Sequence, residues 1–172
     1  MKTTRLSLFI MLCVLFSASL SAQGHEERFE KLDVISYHFE IGLSDSSNII
    51  QGKALVHIRF KKETEKFCLD LVYDAANECG MKVSSVKENG KDIPFVTQEN
   101  KLGLFPRASA GSEGEYEICY SGIPSDGLII SKNKFGDRTF FGDNWPDRAR
   151  HWLPLVDHPS DKALVEFTVT AP

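Results

Sequence analysis

Two successive stretches of this chain alternate between apolar and polar residues, and this alternation constrains the fold more than any other feature. The apolar set of the first stretch is Ile35, Tyr37, Phe39, Ile41 and Leu43. The apolar set of the second is Ala54, Val56, Ile58 and Phe60. A period of two places alternate side chains on opposite faces, so each stretch predicts a half-buried strand. The turn-forming residues 44–48 between them predict a hairpin.

Further short strands, separated by turn signals, are predicted along the rest of the chain. They are Phe67–Tyr73, Met81–Lys87, Ile93–Thr97, Leu102–Phe105, Glu115–Ser121 and Leu164–Thr170. The dipeptide Asn89-Gly90 suits the positive φ angles of a tight hairpin turn. No clear helical period follows residue 22. The sequence therefore predicts an all-β fold, with antiparallel strands in a β-sandwich or in saddle-like sheets.

Residues 140–163 break the alternation. They contain three prolines, both tryptophans and several charged side chains. A long structured connection of this kind is commonly a functional or docking loop. Within it, either Arg148 or Arg150 can form a charge-assisted pair with Asp157 that holds the two limbs of the loop together.

The first 22 residues have the order of a secretory signal peptide. Lys2 and Arg5 precede an apolar run of 11 residues, and small residues follow it up to Ala22. A membrane-spanning helix needs roughly 20 apolar residues, so the segment predicts cleavage near Ala22 and export to the periplasm or the medium. The predicted divisions are a signal peptide at 1–22, an amino-terminal tail at 23–32 and a β domain at 33–172. No membrane span is expected after cleavage.

The charge balance excludes nucleic acid as a partner. The chain has 20 basic and 24 acidic side chains. Removal of the signal peptide takes away Lys2 and Arg5, which leaves 18 basic and 24 acidic side chains and a net charge of −6. Such a surface repels a polyanion unless a strong basic patch compensates. The longest basic clusters are Lys61-Lys62 and the separated Arg148 and Arg150.

Three cysteines follow the signal peptide: Cys68, Cys79 and Cys119. An exported compartment permits disulfides, but an odd number leaves at least one thiol unpaired. Both a Cys68–Cys119 bridge and small buried thiols are compatible with the sequence.

The sequence lacks the motifs of the common hydrolases. The run His25-Glu26-Glu27-Arg28-Phe29 begins like the zinc motif HExxH but has no second histidine, and we interpret it as a solvated tail. His151 and His158, with Asp157, match no common zinc spacing and are expected to pack or to form surface hydrogen bonds. Neither a GxSxG elbow nor a glycine-rich phosphate loop is present. We therefore predict neither catalytic nor metal-ligating residues in this chain.

Residues 145–163 resemble a signature of peptidase family M1, the aminopeptidase N-like gluzincins. Members carry an Ala-Arg pair, then an apolar residue and Pro, then Asp-x-Pro-x-x-Lys-Ala leading into a strand. Here the matching residues are Ala149-Arg150, Leu153-Pro154 and Asp157-His158-Pro159-Ser160-Asp161-Lys162-Ala163. The residues expected to shape this loop are Arg148, Arg150, Pro154, Asp157, Pro159 and Lys162. With the strand pair upstream and the segment Tyr120–Pro124, the resemblance spans about residues 33–172.

The resemblance implies an aminopeptidase N-like amino-terminal β domain that caps the cleft of a zinc-bearing catalytic domain in the same polypeptide. The enzyme would remove amino-terminal residues from peptides, with the zinc in the catalytic domain and none in this chain. In many members a Gln or Glu shortly before the Ala-Arg pair recognises the amino terminus of the substrate. That place falls at Trp145, beside Asn144. Substrate contact and simple packing are both open for Trp145, and a large aromatic beside proline favours packing.

Relatives continue their β domain after the equivalent of Thr170, so the last strands are expected to be missing and the chain alone to be inactive. A free-standing secreted β-sandwich binding module is the alternative. A compact hydrolase with an unrecognised site is a third possibility. Zinc content and activity on aminoacyl-anilides separate the third hypothesis from the other two.

Overall fold

The computed structural model describes residues 28–74 and 79–172. Its strands are β1 (Leu32–Gly42), β2 (Ile50–Phe60), β3 (Phe67–Asp70), β4 (Tyr73–Asp74), β5 (Cys79–Glu88), β6 (Lys91–Asp92), β7 (Phe95–Gln98), β8 (Lys101–Leu104), β9 (Glu113–Ile123), β10 (Leu128–Lys132), β11 (Arg138–Gly142) and β12 (Leu164–Thr170). Residues 28–31 are helical, and a 3₁₀ turn covers Ala149–His151. The predicted signal peptide at 1–22 lies outside the described residues.

The strands form three sheets. The largest has the order β12-β1-β2-β9-β5-β4, with β6 paired to β5. A second sheet has the order β3-β8-β7, and β10 and β11 form a separate two-stranded ribbon. The predicted all-β class with antiparallel sheets is confirmed. One pair differs, since β12 runs parallel to β1.

The core lies between the large sheet and the β3-β8-β7 sheet. Phe67 on β3 packs edge-on against Phe60 of β2 and Tyr116 of β9, with ring centroids 5.8 and 5.1 Å away. Leu69 and Leu102 are fully buried beside them. Full burial of one such side chain stabilises the fold by about 1.5–3 kcal/mol, so this aromatic and aliphatic layer fixes the two sheets against each other.

The predicted hairpin of β1 and β2 forms, but with a shifted face at its start. The register of the pair changes between Val34 and Ser36, which marks a β-bulge at Ile35. An extra residue reverses the alternation on one side of the bulge. Val34 is consequently buried and Ile35 only partly so, and the expected five-residue face is correct from Tyr37 onward.

One turn and one strand position show why particular residues are needed. Asn89 and Gly90 have φ angles of 48° and 79°, as the predicted tight turn between β5 and β6 requires. Gly52 lies opposite Tyr120, and a Cβ at this glycine would come within 2.2 Å of the tyrosine ring. The absence of a side chain at Gly52 therefore lets the Tyr120 ring lie across β2 in the core.

Two further features differ from the sequence prediction. The ribbon of β10 and β11 was not predicted, and the end of β11 occupies residues 140–142, which were assigned to the irregular stretch. Of the two alternatives left open for the cysteines, the structure has free thiols at Cys68, Cys79 and Cys119 and no Cys68–Cys119 bridge. Residues 28–31 are helical where a tail was expected. In the parts of the chain that the structure describes, no helix is long and apolar enough to cross a bilayer.

Candidate functional site

The residues between β11 and β12 form a loop that is fixed to the body of the protein by backbone hydrogen bonds. We call residues 143–163 the connecting loop. Asp70 at the end of β3 exchanges two hydrogen bonds with Leu155, at 2.7 and 3.2 Å. Val72 N–H donates to the carbonyl of Arg150 at 2.9 Å. The middle of the connecting loop therefore pairs with the end of β3 in the manner of a strand.

Arg150 and Asp157 join the two limbs of the connecting loop, as the sequence predicted. Arg150 Nε lies 3.0 Å from Asp157 Oδ2, and the backbone N–H of Arg150 donates to the same oxygen at 3.1 Å. A further guanidinium nitrogen donates to the carbonyl oxygen of Asp157 at 3.0 Å. Only 8% of the Asp157 side chain is exposed. Low exposure weakens solvent screening, so this pair holds the loop more firmly than a surface ion pair would.

Asp70 and Arg28 extend this pair into a buried network. The backbone N–H of Asp157 donates to Asp70 Oδ2 at 3.0 Å, and Arg28 Nη1 contacts the same oxygen at 3.0 Å. Phe29 packs against the core and lies 5.3 Å from the His158 ring. The assignment of Arg28 and Phe29 to a solvated tail was wrong, because the buried carboxylate of Asp70 needs a cation and Arg28 supplies it.

Tyr37 ties the far end of the connecting loop to β1. Its hydroxyl accepts a hydrogen bond from Val156 N–H at 3.0 Å and donates to Asp161 Oδ2 at 2.8 Å. Burial raises the pKa of Tyr37, and the charge of Asp161 raises it further. Burial also raises the pKa of Asp161. The hydrogen bond from Tyr37 lowers the same pKa, but the effect of burial is larger. Tyr37 thus stays protonated and keeps its donor role.

Arg148 holds the first limb of the connecting loop, but not through Asp157. Two guanidinium nitrogens of Arg148 donate to the two carboxylate oxygens of Asp126, with Nε 2.9 Å from Oδ2. The third nitrogen, Nη1, lies 2.5 Å from Asp143 Oδ2. The hydrogen bonds from Arg148 lower the pKa of Asp126 to about 2, helped by the Gly127 backbone N–H. Of the two arginines proposed as partners of Asp157, the structure assigns Arg150 to it.

Asn144 and Trp145, the residues proposed for substrate contact, have different environments. Asn144 Oδ1 accepts a hydrogen bond from the indole N–H of Trp152 at 2.9 Å. Trp145 is 77% exposed, so the interpretation that it simply packs was wrong. It stands at the rim of an open groove of about 320 Å³, which is also lined by Pro146, Leu153 and Phe167. An exposed tryptophan next to an anchored residue suits contact with a ligand or partner.

The other loop residues named by the sequence are structural or solvent-exposed. Pro154 is buried, while Pro159 and Lys162 are exposed. His151 Nδ1 lies 2.7 Å from the hydroxyl of Ser125, and His158 Nδ1 accepts from the Ser160 backbone N–H at 3.2 Å. These contacts match the surface hydrogen bonds expected of the histidines.

No group of three His, Cys, Asp or Glu side chains in residues 28–74 and 79–172 is arranged to hold a metal ion. The described residues therefore do not fit a zinc ion, and no zinc chemistry is assigned to them.

Sequence reasoning missed three residues that hold the site, namely Tyr37, Asp70 and Asp126. Tyr37 had been assigned only to the core face of β1. Asp70 and Asp126 lie far along the chain from their loop partners, and nothing local in the sequence shows such pairing. Two signals were available: an Asp at the end of an apolar strand, and an Asp-Gly turn before β10.

No protein-family model matches the chain. Among curated proteins, it is 26% identical over 134 residues to a leucyl aminopeptidase of Saccharolobus solfataricus. It is 28% identical over 137 residues to a probable aminopeptidase 1 of the same organism. Each match covers 76% of this chain but only 16% and 15% of the relative. The chain thus spans about a sixth of the length of these relatives.

Solved structures give the decisive likeness. An M1 zinc metallopeptidase from Deinococcus radiodurans matches with a TM-score of 0.62 and 26% identity, over 81% of this chain and 32% of that one. The chain has the fold of an M1 metallopeptidase β domain. Native leukotriene A4 (LTA4) hydrolase from yeast shares the fold with a TM-score of 0.71 at 17% identity, over 84% of this chain and 23% of the hydrolase.

Proposed function

We propose that this M1-type domain is the non-catalytic amino-terminal part of an exported aminopeptidase. In this proposal it caps the active-site cleft of a zinc-bearing catalytic domain of the same polypeptide, which removes amino-terminal residues from peptides. Zinc belongs to that catalytic domain. Support comes from the aminopeptidase relatives, of which this chain matches about a sixth, and from the M1 metallopeptidase likeness.

The exposed Trp145 is the observation that carries the capping role. A large apolar side chain in water is costly, and a rigid loop that presents one usually serves a contact. Trp145 follows Asn144, which is anchored to Trp152, and precedes Arg148, which is anchored to Asp126 and Asp143. The loop thus holds both sides of Trp145 while leaving its ring free. We propose that this ring lines the cleft beside the bound peptide.

The first test uses the chain itself, from the predicted mature start at Gln23 to Pro172. We expect neither retained zinc after dialysis nor turnover of aminoacyl-anilides, because the described residues offer no set of metal ligands. Turnover that persists after contaminating peptidases are removed would instead favour the compact hydrolase. Stoichiometric zinc would lead to the same conclusion.

The second test concerns the catalytic partner. The DNA downstream of codon 172 is expected to encode an HExxH helix and a later Glu, the ligand set that a zinc peptidase needs. In the assembled enzyme, Trp145→Ala should raise KM for peptides more than it lowers kcat, while zinc content stays unchanged. An unrelated gene at that position would favour a secreted binding module that uses the same exposed tryptophan.

A further inference from the structure

A second open groove, of about 740 Å³, lies beside the turn between β5 and β6. It is lined by residues 63–65, Glu88, residues 93–94 and residues 105–109, and we call it the acidic groove. In the large sheet, the strands β1, β2 and β9 lie between β5 and β12. The acidic groove is therefore built without the last strand of the chain and does not depend on what covers that strand.

Hydrogen bonds fix the walls of the acidic groove. Thr64 and Ala108 exchange two backbone hydrogen bonds, at 2.9 and 3.2 Å, which tie the two lining loops to each other. On the opposite wall, the buried Tyr116 hydroxyl donates to Glu88 Oε1 at 2.6 Å and sets the position of that carboxylate. A groove that is already formed loses less conformational freedom when a ligand binds, so these contacts favour binding.

Apolar side chains line much of the acidic groove. Ile93 packs against the core, and Pro94 and Pro106 lie on either side of the groove lining. Phe105 leaves 39% of its surface exposed. The ammonium group of Lys66 lies 5.5 Å from the centroid of the Phe105 ring, so this ring already attracts a cation from a neighbouring residue. The lining therefore suits a ligand that has both an apolar part and a positive charge.

The charged side chains of the lining give the acidic groove its name. Glu63, Glu65 and Glu88 line it together with the guanidinium of Arg107, which leaves a formal charge of −2. In the part of the chain that the structure describes, none of the three carboxylates forms an ion pair. Opposite charges attract most strongly at short range and away from bulk water. Three unpaired carboxylates beside apolar surface therefore favour a cationic ligand.

We propose that the acidic groove binds an extended peptide segment through an arginine side chain. Arginine joins an aliphatic stem to a planar cation that pairs with carboxylates and stacks on aromatic rings. Its stem suits the contact with Ile93 and Phe105, and its guanidinium suits Glu63 and Glu65. Small ligands usually bind in pockets that bury about 70–90% of their surface. This groove is open along its length, so it suits several consecutive residues of a peptide better than a small enclosed amine.

Fluorescence anisotropy with the chain from Gln23 to Pro172 tests this proposal, which is independent of the aminopeptidase proposal. The probe is a fluorescein-labelled hexapeptide, Ala-Arg-Leu-Ala-Arg-Ala, with both ends blocked. A second probe has citrulline at both arginine positions, which keeps the shape of the side chain and removes its charge. We expect the arginine peptide to bind with a Kd below about 1 mM and the citrulline peptide to bind at least about tenfold more weakly. Equal binding of the two peptides, or no binding of the arginine peptide, would overturn the proposal.

A matched pair of double variants tests where the peptide binds. E63Q/E65Q removes two carboxylates from the acidic groove and should weaken binding of the arginine peptide at least about tenfold. E99Q/E115Q removes two exposed carboxylates outside the groove and changes the net charge equally, so it should change the affinity less than about twofold. All four side chains are exposed, and near-ultraviolet circular dichroism checks the fold. Equal weakening by the two folded variants would overturn the proposed site.

Arg107 provides a test of the opposite sign. It is exposed, and R107Q removes its guanidinium from the described lining of the acidic groove. The repulsion between this group and a bound arginine is then lost, so the arginine peptide should bind about threefold more tightly. Binding of the citrulline peptide should stay the same, because that peptide carries no cation for Arg107 to repel. An unchanged affinity for the arginine peptide, or an equal gain for both peptides, would overturn the proposal.

Discussion

Tyr37 and Asp161 are 124 positions apart in the chain and share a hydrogen bond of 2.8 Å. The same hydroxyl accepts a hydrogen bond from the backbone of Val156, so one side chain of β1 holds two points of the connecting loop. The loop that presents Trp145 therefore depends on a strand that precedes it by more than a hundred residues.

Tyr37→Phe should lower the free energy of unfolding by about 1–3 kcal/mol, because it leaves the Val156 N–H buried without an acceptor. The ring itself is retained, so its packing against Phe39 is unchanged. Chemical denaturation of the variant and the wild type gives the difference. Tyr73→Phe on β4, whose hydroxyl has no such role in the loop, is the matched control. An equal effect of the two substitutions would mean that the Tyr37 hydroxyl does not hold the loop.

Asp157→Ala should lower the free energy of unfolding by about 3 kcal/mol, because it leaves the partly buried guanidinium of Arg150 without its main partner. Asp147→Ala is the matched control. Its carboxylate is also near Arg150, at 3.6 Å, but is 60% exposed, and such a pair contributes under about 1 kcal/mol. Urea unfolding of both variants measures the contrast. A loss near zero for Asp157→Ala would show that the loop is held in another way.

Local pattern was sufficient to predict the hairpin of β1 and β2, the Asn89-Gly90 turn and the alternation of β9. It failed at Ile35, because a bulge inserts one residue into the pairing without any local signal. It also failed for β10 and β11, because their outward face mixes the apolar pair Ile129 and Phe141 with the polar pair Ser131 and Thr139, so apolar and polar residues do not alternate cleanly.

The site was predicted in part, for a physical reason. Arg150 and Asp157 are seven residues apart, so their pairing follows from loop geometry over a short span. Asp70 and Asp126 come from distant strands and turns, and their partners are set by the packing of whole sheets. Trp145 was expected to pack because its type is usually buried, whereas its neighbours fix the backbone in a way that leaves the ring in solvent.

Trp145→Phe should remove nearly all of the tryptophan fluorescence that iodide can quench. Trp145 is 77% exposed and Trp152 is 7% exposed, so only the first is open to a solute. Trp152→Phe should leave the quenching in place but lose the indole hydrogen bond to Asn144. The Trp145 change should alter the free energy of unfolding by less than about 0.5 kcal/mol, as expected of an exposed side chain. Strong quenching in the Trp145→Phe variant would contradict the proposed exposure.

Asp126 should titrate near 2 in a carboxyl-detected NMR experiment, because the Arg148 guanidinium and the Gly127 N–H stabilise its charged form and lower its pKa. A depressed folded-state pKa contributes stability that is present above the unfolded value and is lost as pH falls toward the folded one. Arg148→Ala should return the titration toward the usual range of an aspartate. A midpoint that is the same in both proteins would show that Arg148 does not govern this carboxyl.

Asp161 should contribute to the pH dependence of stability with the opposite sign. Burial raises its folded-state pKa, and the charge of Asp33 adds to this, so the folded protein binds this proton more tightly than the unfolded chain does. That contribution is complete below the unfolded pKa and is lost as pH rises through the folded pKa. Asp161→Asn retains an oxygen that accepts from Tyr37 but carries no charge. The variant should therefore gain stability relative to the wild type as pH rises from 3 to 7.

Asp126→Asn is the control for this titration, since it should lose stability relative to the wild type over the same rise in pH. Unfolding by urea at several pH values, with both variants and the wild type under identical salt, gives the two differences. Opposite slopes follow from the structure because burial raises the pKa of Asp161 against the attraction of Arg28 and Lys61, whereas hydrogen bonds from Arg148 lower the pKa of Asp126. Parallel slopes would mean that Asp161 is ionised as easily in the folded protein as in the unfolded chain.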